Sequence, residues 1–407
     1  LVRSGVSVDA IGLAAPTGRA AQRMTEALSE SISSVVEPSE EDESLMSLTG
    51  ATLHKLLRYR PRQNSYYYRA GRPLPISLLV VDEVSMIDVI MLDRLLQAVD
   101  PDMTRIVFMG DKDQLPSVDA GAVLASMISI GSTTRATGGR FDDHLVVLKT
   151  VYRSAPALVQ VAQAVNEGRR PSVSKVNVHK VSAKSGCAMV NLPELFEMLA
   201  HWCEMFYAGP NTDYLKWVAE AGRMDSRALT TSIDGQAIIH ALFEQRDKAR
   251  ILTVLRKGRL GCESINAWMV HHLFKGIYHT GPGTLAMVTR NDPARQLTNG
   301  EVGVVVRDRE GSLRCLFQRP GGAIQFPLEA LPAWEPAFAA TVHKSQGAEF
   351  NDIWLILPDD PNHRLLTREI IYTAATRASR RLIVSGEEAV FHRALQRKIH
   401  RQSGLTL

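Results

Sequence analysis

Residues 78–86 read LLVVDEVSM. Four apolar residues, two of them β-branched, run without a break into two carboxylates. A short continuous apolar run of this kind is the pattern of a strand covered on both faces, as in a parallel sheet packed between helices. Ligands of such sheets gather at the carboxyl ends of the strands. Asp82 and Glu83 therefore stand where an acid pair can hold Mg²⁺ and orient water beside a nucleotide. On its own the pair reads equally well as a charged turn, and the neighbouring segments have to decide.

Upstream, DAIGLAA (9–15) is another apolar strand. It breaks at Pro16-Thr17-Gly18, and GRAAQRMTEALSE then reads as a helix of good helix formers. ATLHKLLRY (51–59) is a short helix, and NSYYYRAGRPLPIS (64–77) a hairpin turning at Ala70-Gly71. MLDRLLQAV (91–99) is an amphipathic helix, and RIVFMGD (105–111) a third buried strand that ends in an acid. Strand, helix, strand, helix, strand implies a parallel sheet covered by helices. The acidic stretch 37–43 reads as a solvated loop and GSTTRATGGR (131–140) as a flexible one.

A second α/β series begins at ARILTVLRKG (249–258), after a mostly helical stretch from 155 to 250. MVTRN, EVGVVVRD, LRCLFQ and AIQFPLE are then short strands parted by glycine turns, the pattern of a small β-barrel insertion. The α/β pattern resumes with FAATVHKSQGAEF at a strand-to-helix turn, IWLILP, a helix from Arg368 to Ala378 and the strand RLIVSG. The organisation expected is a first α/β domain over 1–145 with a hairpin at 64–77, and a second over 146–279 and 336–407 interrupted by a β insertion at 280–335.

A chain of 407 residues exceeds one core of usual size, so two or three domains are expected. No apolar run approaches the roughly 18 residues a membrane span needs, so no membrane partner is expected. The start resembles no signal peptide. Cys187, Cys203, Cys262 and Cys315 are scattered without a CxxC, which fits a cytoplasmic setting with neither a zinc site nor a disulfide framework. A net charge of +4 weakly favours a polyanionic partner.

Four further stretches narrow the chemistry. GDKDQLPSV (110–118) puts Gln114 shortly after an acid at a strand's carboxyl end, where an amide can bond a γ-phosphate or its attacking water. VYRS places Arg153 just past the first domain. TVHKSQGAEF (341–350) is dense in donors suited to backbone phosphates. YTAATRASRR (372–381) puts Arg377 on a helix, and an arginine brought to a γ-phosphate stabilises transition-state charge.

APTGRAA, TLHKLL, VVDEVSM, GDKDQLPSV, VYRS, TVHKSQGAEF with REIIYTAATRA, and the terminal RQSGL together resemble superfamily 1 helicases, and within them the RecD-like alpha subunits of exodeoxyribonuclease V. The resemblance covers nearly the whole chain and is weakest at 155–245. It implies two RecA-like domains, ATP and Mg²⁺ as cofactors, an SH3-like β insertion and a strand-separating pin at the 64–77 hairpin. It assigns Mg²⁺ binding to Asp82, water activation to Glu83, γ-phosphate sensing to Gln114, and transition-state charge to Arg153 and Arg377. Gln346, Gly347 and Glu349 would couple nucleotide to DNA. Pro16, Thr17, Gly18, Arg19, Thr52 and His54 would lie along single-stranded DNA on the first domain, and Thr341, His343 and Lys344 on the second. Tyr66, Tyr67 and Tyr68 stay open between stacking on bases and packing a hairpin face. The implied activity is 5′–3′ unwinding in double-strand break repair, beside RecB-like and RecC-like subunits that carry the nuclease.

One departure stands out. Asp82 and Glu83 should serve a GxxxxGK[ST] phosphate loop, and these 407 residues contain none. Two expectations follow: a fragment of a helicase, of poor stability alone, or a non-catalytic subunit that binds single-stranded DNA or serves a structural role. A free-standing relative and a conjugative relaxase helicase are further alternatives.

Overall fold

The computed structural model describes residues 2, 5–134, 144–176, 186–190, 192–275, 280–319, 322–399 and 401. Of RQSGL, only Arg401 falls among them, and residues 135–140 of the expected loop lie outside. The chain divides into two compact units, residues 1–150 with 400–407, and residues 151–399.

Unit 1 is built on strands β1 (Ile11–Ala15), β2 (Ala51–Thr52), β5 (Leu78–Val81) and β6 (Arg105–Phe108), in the order β2-β1-β5-β6 and all parallel. β3 (Tyr59–Arg60) and β4 (Ser65–Tyr66) form a separate antiparallel pair. Burial alternates along β5, with Leu79 and Val81 fully buried in a core completed by Leu53, Leu57, Leu92 and Leu95. Leu95 lies one turn past Met91 and Leu92, so the three share one face of the helix Val89–Gln97 on that core, and Asp88 caps it by accepting from Met91 N at 2.8 Å. β6 is an outer strand of this sheet, with Val107 45% exposed and Met109, just past its end, 41%.

Unit 2 carries β7 (Ser174–Lys175), β8 (Gly186–Val190), β9 (Ala249–Thr253), β10 (Leu285–Val288), β11 (Val302–Arg307), β12 (Leu313–Arg319), β13 (Gly322–Pro327), β14 (Trp334–Pro336), β15 (Ala339–Thr341), β16 (Phe350–Ile356) and β17 (Ala378–Ser385). Six of them form a parallel sheet in the order β15-β9-β16-β17-β8-β7. Its central strands β9 and β16 are buried almost throughout. The remaining five form an antiparallel sheet, β13-β12-β11-β10-β14, from the stretch read as a barrel. Among the described residues no pair joins β13 to β14, so this sheet is open. The two parallel α/β sheets are the RecA-like architecture expected.

Local differences have physical reasons. The hairpin ladder is β3 with β4, pairing Tyr59 with Tyr66, upstream of the expected strands. Pro61 fixes the start of its turn and Asn64 ends it in the left-handed region at φ 44°. The expected turn at Ala70-Gly71 does exist, as a two-residue loop closing one bridge between Arg69 and Arg72. The acidic stretch becomes a short helix, Glu40–Ser44, because Ser39 and Asp42 form a reciprocal capping box. The helix Val123–Thr134 runs into the region read as loop. TVHKSQGAEF leads from β15 through a 3₁₀ turn, Val342–Ser345, to a further strand rather than to a helix. The helix read as Arg368 to Ala378 ends at Thr376, and Ala378 already opens β17.

Candidate active site and nucleic-acid surface

In unit 1 the carboxyl ends of β1 and β2 lie side by side, Ala15 opposite Thr52. Two threonines cap the helices that leave them. Thr17 Oγ1 accepts from Ala20 N at 3.2 Å, opening the helix Gly18–Ser33, and Thr52 Oγ1 accepts from Lys55 N at 3.2 Å. Pro16, Thr17, Gly18 and Arg19 thus surround the positive end of a 16-residue helix, a place suited to phosphate. His54 sits in the next short helix, its ring centroid 5.4 Å from that of Tyr59 and 6.0 Å from that of Tyr66. Burial pulls its pKa below the usual 6.5, against an opposing pull from Asp88.

Asp82 follows β5 directly. Its amide donates to Ala14 O at 2.9 Å, which fastens it to the end of β1. Its Oδ1 accepts from Glu83 N at 2.7 Å, and among the described residues Oδ2 has no hydrogen-bond partner. Glu83 takes the left-handed conformation, φ 52°, which costs a non-glycine residue about 1–3 kcal/mol and turns the chain sharply at the strand end. Val84 N then donates to Met109 O at 3.0 Å, so the acidic turn lies against the end of β6. There Gly110 is required: a Cβ on it would come within 3.0 Å of both Val84 N and Leu124 Cδ2. Gln114 is 5% exposed, and its Nε2 donates to Asp111 Oδ2 at 3.2 Å. Asp82, Glu83 and Gln114 are therefore on adjacent strand ends, as the spacing implied.

These residues fit a magnesium nucleotide in part. Mg²⁺ is usually held by one or two carboxylates together with water and phosphate oxygens. Asp82 offers an uncommitted oxygen, and no larger cluster of His, Cys, Asp and Glu occurs among the described residues. Three residues on, the buried Ser85 hydroxyl has no protein partner among them, an orphan that a bound water would satisfy. An amide cradle with its lysine is not among the 407 residues.

In unit 2 the turn between β15 and β16 is knitted to two distant segments. Thr341 Oγ1 caps it, accepting from Lys344 N at 3.4 Å. Gly347 takes φ 73°, and Ser345 and Gln346 are buried. Arg153 pairs with Glu349, while Ser154 Oγ donates to Ala378 O at 3.2 Å. Arg377 caps the helix Arg368–Thr376 and is 1% exposed. Its Nη1 donates to Ala348 O at 3.2 Å, and its own carbonyl accepts from Phe350 N at 2.9 Å. Arg153 and Arg377 are thus each tied to the 346–350 turn, Arg153 through Glu349 and Arg377 through Ala348 and Phe350. Lys344 is paired with Glu335 at 2.7 Å, and Arg256 reaches the other oxygen of Glu335 at 3.2 Å. His343 lies in the same 3₁₀ turn.

Sequence reasoning missed Asp111, which orients Gln114, and Glu335, which holds Lys344. Asp111 had a signal, being the acid that ends a strand. Glu335 had none, since it arrives on β14 from the other sheet.

Two family models match, an AAA domain over residues 1–120 and a UvrD-like helicase C-terminal domain over residues 336–385. The RecBCD enzyme subunit RecD of Mycolicibacterium smegmatis is 34% identical over 406 residues, covering 97% of this chain and 65% of that protein. The chain is similar to RecD subunits along nearly its whole length. The ATP-dependent RecD2 DNA helicase of Deinococcus radiodurans is 26% identical, over 95% of this chain and 44% of the relative. A solved structure of Pif1 helicases at forked DNA aligns with a TM-score of 0.45 at 17% identity, over 92% of this chain and 81% of the other. The chain spans just under two thirds of the length of the curated RecD relatives it matches. Among the described residues, no helix is long and apolar enough to cross a membrane.

Proposed function

We propose that the chain forms the motor of an ATP-driven 5′–3′ DNA helicase subunit in a RecBCD-type exodeoxyribonuclease V. It would work on broken double-stranded DNA in the cytoplasm, with RecB-like and RecC-like partners. The observation that carries this reading is the meeting of Asp82–Glu83 with Gly110–Gln114 at neighbouring strand ends, in a chain homologous to RecD throughout.

The geometry supports the following division of labour. Asp82 would hold Mg²⁺ through its uncommitted oxygen, where the ion would supply positive charge to the phosphates of ATP. Glu83, turned out at the strand end, takes a proton from the attacking water. Gln114, steadied by Asp111, bonds the γ-phosphate or that water. Arg153 and Arg377 supply positive charge to the transition state, and both are tied to the 346–350 turn. Gln346, Gly347 and Glu349 thereby transmit the state of the nucleotide to Thr341, His343 and Lys344. Those three, with the caps Thr17 and Thr52, with His54 and with Pro16, Gly18 and Arg19, contact the strand.

A second reading, DNA binding without hydrolysis, is favoured by the lack of a GxxxxGK[ST] stretch in these residues. The test is ATP hydrolysis stimulated by single-stranded DNA, on this chain and on the same chain joined to a segment bearing such a loop. Hydrolysis in the joined form that Glu83→Gln abolishes supports the motor. DNA binding by both forms with hydrolysis by neither supports the second reading.

A further inference from the structure

From Ser44 to Val81 the sequence has no Asp or Glu, while Lys55, Arg58, Arg60, Arg62, Arg69 and Arg72 supply six positive charges. The five arginines are exposed, and among the described residues none of them makes an ion pair. Like charges left together on a surface without counter-charge repel one another, at a cost to the fold that an anionic ligand removes.

The tyrosines arrange this charge. Tyr66 and Tyr68 pack against the core of unit 1. The Tyr67 ring stands edge-on to that of Tyr68, 5.0 Å between centroids, and three guanidiniums gather round it, Arg58 also lying 5.4 Å from the Tyr68 ring. The Cζ of Arg72 lies 4.2 Å from the Tyr67 ring centre, that of Arg60 5.1 Å and that of Arg58 5.4 Å. Arg58 reaches it from a left-handed backbone, φ 50°, held by Tyr67 N donating to the carbonyls of both Leu57 and Arg58. Strain of this kind, about 1–3 kcal/mol, persists where the surroundings enforce it and clusters at ligand sites. With guanidiniums round it, the ring is not a bare platform for a base. It is a scaffold that holds three forks within one small radius, where they can bond neighbouring phosphates of a strand.

We propose that Arg58, Arg60 and Arg72, gathered on Tyr67, form a phosphate-binding clamp for the backbone of a nucleic-acid strand, separate from the strand-end residues above. The clamp rests on the nucleic-acid reading of the chain, and it reads phosphates rather than bases. Acidic Asp88, whose field reaches His54 and Tyr66, caps its helix by accepting from Met91 N.

The test measures binding of the full 407-residue chain to two labelled probes of equal length, oligo-dT and an abasic oligomer, across a series of salt concentrations. Replacing Arg58, Arg60 and Arg72 by Gln should flatten the slope of log K against log salt by about 2, at roughly 0.7 per lost single-strand phosphate contact. The flattening should be the same on both probes. The double variant Arg60→Gln with Arg72→Gln leaves the left-handed Arg58 in place and should flatten it by about 1.4. An unchanged slope in the double variant, or a loss confined to oligo-dT, overturns the clamp alone. Failure of the unmutated chain to bind either probe overturns the clamp and the nucleic-acid reading together.

Discussion

Arg377→Ala separates what this arginine does for the fold from what it does for the reaction. The side chain is 1% exposed and donates to Ala348 O at 3.2 Å. Truncation strands that carbonyl, at about 1–3 kcal/mol, and empties a buried volume, so a stability loss of about 2–4 kcal/mol is expected. The backbone bond from Phe350 N to Arg377 O does not depend on the side chain, so the start of β16 should hold. An arginine that meets a γ-phosphate contributes about 10³–10⁵ in rate, equivalent to about 4–7 kcal/mol of barrier. In the chain joined to a phosphate loop, the variant should therefore lose turnover by at least about a thousandfold, measured well below its melting temperature. Binding of single-stranded DNA should survive there, because Thr17 and Thr52 are untouched. Arg377→Lys should recover part of the stability and little of the turnover, since an ammonium lacks the planar fork. Near-normal turnover in a folded Arg377→Ala variant would refute the assignment and leave Arg377 as a clip for the 346–350 turn.

Asp352 is fully buried between Arg380 and Arg381, whose Nε atoms both lie 3.1 Å from its Oδ1. Asp352→Ala should cost about 3–5 kcal/mol by leaving a buried cation without its partner; a urea midpoint within error of the parent would disprove this. His54, with its folded pKa lowered below 6.5, resists protonation that the unfolded chain accepts. Its contribution is present above pH 6.5 and is lost as pH falls from there toward the folded value. Stability should thus rise with pH across that window and the rise should shrink in His54→Gln; an NMR titration midpoint at or above 6.5 would contradict the burial argument. The exposed apolar side chains on and just past β6 should make the chain associate through that edge. Val107→Lys should shift sedimentation toward the monomer, and a parent that is already monomeric at high concentration would remove the premise.

The parts of this molecule that could be read from sequence are those in which one segment carries its own explanation. LLVVDE is a strand and an acid turn by local pattern alone, and its register on β1 only places what was already paired. The same holds for Thr17 and Thr52, whose hydroxyls cap amides three residues away. Features that depend on distant partners were not legible in the sequence. GCAMV (186–190) forms β8 because β17 offers it a parallel edge, not because five mixed residues announce a strand. Arg377 reads as a helix residue, and its bond to Ala348 O, 29 residues away, is a product of the fold. Lys344 reads as a donor for phosphate, and its pairing with Glu335 on another sheet has no local signal.

The tyrosine run shows the same boundary at the scale of single residues. YYY offers three rings for stacking or three for packing, and composition cannot choose between them. Tertiary packing chooses: Tyr66 and Tyr68 lie against the core, and Tyr67 stands edge-on to Tyr68 with guanidiniums on its ring. The arginines then fall on Tyr67 from three positions, 58, 60 and 72, that no periodic pattern connects. Two turns do connect them, one ending in the left-handed Asn64 and one built on Gly71. The charge of this surface was therefore present in the sequence, and its concentration on one ring is a property of the fold. That distinction is also why swapping arginine positions at constant net charge should weaken phosphate binding: the clamp depends on convergence, which total charge does not supply.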